Sequence, residues 1–183
     1  MGSLKLEPAL SRLDLLAPPV AAALEVWPPE APVDGDQVLV APIDPELADT
    51  AAFCAAYGVA PEESANCVIV AGRRGDVTRY AACVVLATTR ADVNGVVRKL
   101  LDARKASFAP MDDAVRLTGM EYGGITPIGL PKDWPVLVDA RIVATPHVVI
   151  GSGVRHSKIA IAGPALGALP GAQVIDGLTR EAD

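Results

Sequence analysis

Two glycine-bearing stretches hold the residue types best suited to grip a small polar ligand. "EYGGITPIGLP", residues 121–131, interleaves Gly123, Gly124 and Gly129 with Ile125, Thr126, Pro127 and Pro131. Adjacent glycines permit positive φ and close approach of a second backbone or a ligand, while prolines restrict the chain and remove N–H donors. The stretch reads either as a shaped wall with a few unused amides or as a tight surface turn. "GSGVRHSK", residues 151–158, sets Gly151, Ser152 and Gly153 beside Arg155, His156 and Lys158. Backbone amides next to cations suit a phosphate or a ribose hydroxyl. The same residues read equally as a hairpin turn with solvated charges, and they lack the GxGxxG spacing and the P-loop Lys-Ser/Thr pair. Asp139 ends the apolar run "PVLVD" and is either a functional carboxylate or one that caps nearby amides.

Covalent catalysis is disfavoured. No serine sits in a GxSxG elbow, and neither His147 nor His156 is patterned with a nucleophile. Cys54, Cys67 and Cys83 are odd in number, widely spaced and flanked by small or apolar residues, which reads as core thiols. With two histidines and no ligand spacing, neither a metal nor a cofactor is expected.

The elements that must position these residues follow from periodicity. "QVLVAPI" reads as a strand. In "DPELADTAAFCAAYG" Asp44 can cap a helix, Pro45 fits its first position and Gly58 its left-handed stop. "NCVIVAG" and "VTRYAACVVLATT" form a hairpin about "RRGD", the second strand being apolar enough for burial on both faces. Val93, Val96, Val97, Leu100 and Leu101 make one helical stripe, and "MDDAVRLTG" is a shorter helix ended by Gly119. "WPVLVDA", "HVVIGSG", "SKIAIAG" and "AQVID" are further strands, with "PALGAL" a helical turn. The order predicts an α+β protein: a curled, partly open mixed sheet or barrel surrounded by helices.

At 183 residues the chain is most economically one domain, with residues 1–36 an N-terminal helical appendage and linker and residues 37–183 the compact unit. No uncharged apolar run of about 18 residues and no secretory signal is visible, so a cytoplasmic location away from membranes is expected. Sixteen Lys and Arg against 22 Asp and Glu give a net charge of -6, which disfavours extensive binding to DNA. A local basic site for a short stretch of nucleic acid remains open. "RRGDVTR", "VRKLLDARK" and "GVRHSK" are its candidates, the first two reading also as a turn and a solvated helix face.

From about Val38 to Gly177 the chain resembles the YbaK/EbsC group of aminoacyl-tRNA editing domains, the prolyl-tRNA synthetase-associated domain family. "LTGMEYGGITPIGLP" is similar to that group's TGy-x-x-GG-[IV]-[ST]-P-x-G, "PVLVDA" to its P-x-x-[IV]-D, and "VVIGSGVR" to its strand and glycine loop. The resemblance implies hydrolysis of mischarged tRNA, with the tRNA acceptor end, and a synthetase, as partners. It implies one pocket in which Gly123, Gly124, Ile125, Thr126, Pro127, Gly151, Ser152, Gly153, Arg155 and His156 surround the ester, and it matches Asp139 to the family's aspartate, orienting pocket amides or the terminal ribose. Where many members have a lysine opening a strand, this chain has Asn66, and neither Lys132 nor Lys158 stands at the matching position. Asn66, Gly124 and Asp139 are thus the catalytic candidates. The alternative is a binding module of the same fold that recognises a tRNA end, a nucleotide-like ligand or a synthetase without turnover.

Overall fold

The computed structural model describes residues 1–27 and 37–181. Apart from Trp27, the linker expected at "WPPEAPVDGD" lies outside the described residues. Strands and helices are numbered in chain order.

The longest elements are β3 (Ala65–Arg74) and β4 (Val77–Leu86), paired antiparallel from Ala65↔Leu86 to Arg74↔Val77. Their two-residue loop needs positive φ at its first position, and Gly75 supplies it at +59°. Ala81 to Leu86 are all buried, as the apolar run predicts. One face of β4 meets Val70, Val97, Leu101 and Leu137, and the other joins Val84 to Val136, Ile150 and Ile159. With β6 (Lys105–Phe108), β7 (Val136–Asp139) and β10 (Ala172–Ile175) the hairpin makes a mixed sheet of order β10-β7-β4-β3-β6, in which β7 runs parallel to both β4 and β10. A second, antiparallel sheet has the order β1 (Glu7–Pro8), β2 (Leu39–Pro42), β9 (Ser157–Ala162), β8 (His147–Gly151). A bridge from Ser64 to Val149 ties the start of β3 to β8. β5 (Thr89–Ala91) and β11 (Thr179–Glu181) pair by themselves. The protein is mixed α/β, and none of the sheets among the described residues closes into a barrel.

Helices α1 (Pro18–Glu25), α2 (Thr50–Tyr57), α3 (Arg98–Leu100), α4 (Met111–Thr118), α5 (Ala140–Ala144) and α6 (Gly163–Leu166) cover these sheets. Gly58 and Gly119 take left-handed φ of 66° and 68° just past α2 and α4, ending them as predicted. Two expectations change. The helix expected from Asp44 to Gly58 is split: Asp44 accepts from Glu46 N–H to start a short turn at Pro45–Leu47, and α2 begins only after Asp49. The helix expected from residue 91 opens as a wide turn over Val93–Val97, because Asp92 accepts from the N–H groups of both Gly95 and Val96, and it yields to strand β6 by Lys105.

Leu15, Leu16, Ala17, Val20 and Leu24 are buried in the same cluster as Val84, Val136, Ile150 and Ile159. The N-terminal segment carries α1, and its apolar side chains enter the main core. Leu24→Ala is expected to lower the free energy of unfolding by about 3 kcal/mol. Urea denaturation measures this, and a loss below about 0.5 kcal/mol would show that α1 is not a packed part of the fold.

Candidate functional site

Where the bridge joins β3 to β8, the sheets diverge around a cavity of about 420 Å³. Asn66, Cys67 and Val68 of β3 form one side, and Gly123 and Ile125 of the loop after α4 form another. Gly151 at the end of β8, Lys158 of β9 and Asp49 and Thr50 at the start of α2 complete the interior. Phe108, Met111 and Tyr122 also line it, and each is more than half exposed to solvent. They form an apolar lip.

The two glycine loops meet backbone to backbone. Gly153 N–H donates to Gly124 O at 2.7 Å, and Glu121 N–H donates to Gly153 O at 2.8 Å. A methyl group on Gly124 would lie 2.5 Å from Val154 O, and one on Gly151 would overlap the carbonyls of Gly124 and Ile125. Gly123 has φ +84°, a conformation that favours glycine. Arg155 staples the junction: its N–H donates to Glu121 Oε2, and its guanidinium donates to Tyr122 O at 3.2 Å and Pro45 O at 3.0 Å. Ser152 Oγ and Ser157 Oγ lie 2.6 Å apart, with Ser157 donating on to Leu15 O.

The polar interior depends on the split in the helix before α2. Lys158 is buried, and its ammonium donates to Ala48 O at 3.0 Å, the carbonyl exposed by that split. It also sits 5.2 Å from the centre of the Phe53 ring. An ammonium has three donors, so most of its capacity is unused among the described residues. Burial pushes its pKa below the ordinary lysine value. Across the cavity, Asn66 Oδ1 accepts from Thr50 Oγ1 at 2.7 Å. Burial, the largest cause, together with the neighbouring Cys83 raises the Cys67 thiol well above the usual range, so it is a poor source of thiolate. Among the described residues no group of three or more His, Cys, Asp and Glu could hold a metal.

Of the residues expected to form the site, Asn66, Gly123, Ile125 and Gly151 line the cavity. Gly124, Ser152, Gly153 and Arg155 lie behind it and hold the loops together. The expectation of unused amides is corrected at Gly124 and Gly153, whose N–H groups donate to Glu121 O and Gly124 O. The N–H groups of Gly123 and Ile125 make no hydrogen bond among the described residues. Thr126 is fully buried, and its Oγ1 has no partner among the described residues. Neither Thr126 nor Pro127 lines the cavity. His156 is exposed and turns away, its Nε2 lying 3.3 Å from Asp14 O. Asp139 is also outside: it caps α5 through Arg141 N–H at 2.9 Å and accepts from the Thr179 hydroxyl. Lys158 stood in the sequence among the cations of the second glycine loop but was not given the missing lysine's role, because it does not stand at the matching position and β9 reads as an ordinary apolar strand. Its one signal was a lysine amid the buried run of Ser157 to Ile161.

Residues 44–169 match the model of the aminoacyl-tRNA editing domain family. A crystal structure described as that of a candidate trans-editing enzyme for prolyl-tRNA synthetase superposes with a TM-score of 0.73 at 22% identity, covering 91% of this chain and 97% of that one. A hypothetical protein gives 0.67 at 22% identity over 77% and 90% of the two chains. At these identities the structures share the fold.

Gly151→Ala should force the two loops apart, since the new methyl meets backbone atoms that cannot rotate aside. The expected penalty is about 1–3 kcal/mol in thermal or urea unfolding; an unchanged Tm would mean that the loops are not locked as described.

Proposed function

The chain belongs to the aminoacyl-tRNA editing domain family, and on that premise we propose that it hydrolyses, in trans, the ester joining a wrongly attached amino acid to tRNA. The observation that carries this reading is the buried Lys158 ammonium at a cavity lined also by Asn66, Gly123 and Ile125, the last two with backbone N–H groups that make no hydrogen bond among the described residues. Water adds to the ester carbonyl carbon, and negative charge builds on the carbonyl oxygen. The Lys158 ammonium and those amides are the donors available to that charge. The C–O bond to the terminal ribose then breaks, the ribose hydroxyl recovers a proton, and free amino acid leaves. Asn66, steadied by Thr50, orients the acyl group or the water. Gly124 works by admitting the second loop, and Asp139 by fixing the end of β7.

In this reading Lys158 supplies, from another strand, the positive charge that Asn66 lacks. The cavity must take ribose and acyl group together, which favours a small side chain. Size alone separates neighbours differing by one methylene by about 1–3 kcal/mol.

A panel of mischarged tRNAs, incubated with the protein, should show release of free amino acid above the buffer rate for at least one pair; silence across the panel rejects the reading. tRNA binding without release would favour the binding module, for which Asn66 in place of lysine is the motive. Lys158→Met should lower release about 100-fold, the size of effect seen on losing one donor to a developing oxyanion. The same variant should lose no stability at neutral pH, because it removes a buried charge. The sign with pH follows from linkage. The folded pKa lies below the ordinary 10.5, so the unfolded chain binds more protons between the two values and stability rises with pH across that window. Lys158→Met should lack that rise in Tm as the pH is raised toward 10.5.

A further inference from the structure

A second groove, of about 600 Å³, runs along β6 at the edge of the five-stranded sheet. Arg73, Arg98, Arg104 and Lys105 line it together with Ser107 and Phe108, and no carboxylate does. None of these four cations forms an ion pair among the described residues, whereas Arg74 and Arg79 just beyond both pair with Asp102, and Arg116 pairs with Asp113. Arg98 spends only its Nε, on Asn94 O. In a chain of net charge -6, four cations left unneutralised in one groove run against the overall balance and mark a place for an anion. Phe108 lines both this groove and the cavity, and it is 59% exposed. The basic track therefore leads to the mouth of the site, past an aromatic ring open to stacking.

Resting on the reading above, we propose that this groove receives the phosphate backbone of the acceptor end, with Phe108 stacking against an unpaired base next to the residue whose ester is cleaved. Phosphates supply affinity and position, and bases have faces that stack on any aromatic ring. A polyanion fits better than a small phosphate because the four cations come from separate elements along the groove, Arg73 from β3, Arg98 from α3, Arg104 from the link before β6 and Lys105 from the start of β6.

The test measures tRNA affinity from 50 to 200 mM salt for the parent, for Arg104→Glu/Lys105→Glu, for Phe108→Ala and for Lys99→Glu, an exposed cation of α3 outside the groove. Circular dichroism confirms that all are folded. The double reversal should weaken binding about 10-fold or more and reduce the salt slope by about 2, since each phosphate contact contributes about 0.9. Phe108→Ala should weaken binding 5-fold or more at every salt, while Lys99→Glu stays within about twofold. Equal loss in Lys99→Glu and the double reversal would reduce the effect to net charge and overturn the proposal. So would unchanged tRNA affinity with lost binding to a synthetase, which assigns the groove to an acidic protein surface. The two readings fail separately: a parent that binds tRNA through the groove but releases nothing refutes hydrolysis alone, and a parent that releases amino acid with KM unmoved by the double reversal refutes the groove alone.

Discussion

Two hydrogen bonds between main chains, Gly153 N–H to Gly124 O and Glu121 N–H to Gly153 O, hold together loops that are some thirty residues apart in sequence. They need glycine at Gly124 and Gly151, because carbonyl oxygens of one loop occupy the space a Cβ of the other would need. The junction is also backed from behind. Gly153 lies against Ala17, and Gly129 against the carbonyl of Pro19, so the N-terminal segment and α1 press on the outer side of the loops. Ala17 N–H donates to Ser152 O at 3.1 Å and closes that contact. A cavity wall made of main chain is stiff, since it has no rotamers to change. Its shape is set by the fold rather than by adaptable side chains.

The wall gives shape, and one buried charge gives it chemistry. The chain between Ile43 and Tyr57 does not run as a single helix, and the interruption leaves Ala48 O turned toward β9, where Lys158 takes it. A buried ammonium with one neutral acceptor among the described residues, an aromatic face and the exposed Asp49 carboxylate nearby is only partly compensated. Such an arrangement lowers stability in the resting protein and strengthens any interaction with an oxygen on which charge develops. Asn66 and Thr50 stand opposite with neutral hydrogen-bonding groups, and Asp49 adds a carboxylate to the lining at the start of α2.

Outside the cavity the charges are arranged in two ways. Arg12, Arg74, Arg116 and Arg141 pair with carboxylates on the surface, contacts of small energetic consequence. Among the described residues the cations lining the groove by β6 have no such partners. Because β6 is an edge strand, one side of its backbone also lacks a neighbouring strand among the described residues. The five-stranded sheet thus offers its edge, its cations and the exposed ring of Phe108 on the side where the cavity opens.

Local chemistry alone made much of this legible. The β3–β4 hairpin follows from two apolar runs about a Gly-Asp turn, α4 from its acidic first turn and closing glycine, and the mixed fold from the order of elements. The glycine pairs left both tight turns and a close approach of backbones open, and it was the family resemblance that put Gly123, Gly124, Gly151 and Gly153 around one pocket. What the linear chain could not fix was anything set by the path between distant segments. It did not reveal that Asp49 restarts a helix that Asp44 had begun, that Asp92 draws two amides into a wide turn so that β6 can follow, or that α1 is seated behind the loops. Nor did it show that Asp139 is consumed in capping α5 while Lys158 faces the cavity. A lysine in an apolar strand has the same sequence signature whether its ammonium reaches solvent or a buried carbonyl, and only the packing of α2 over β9 decides between them. Residue types determined which groups were available; the close approach of strands and loops determined which of them face one another.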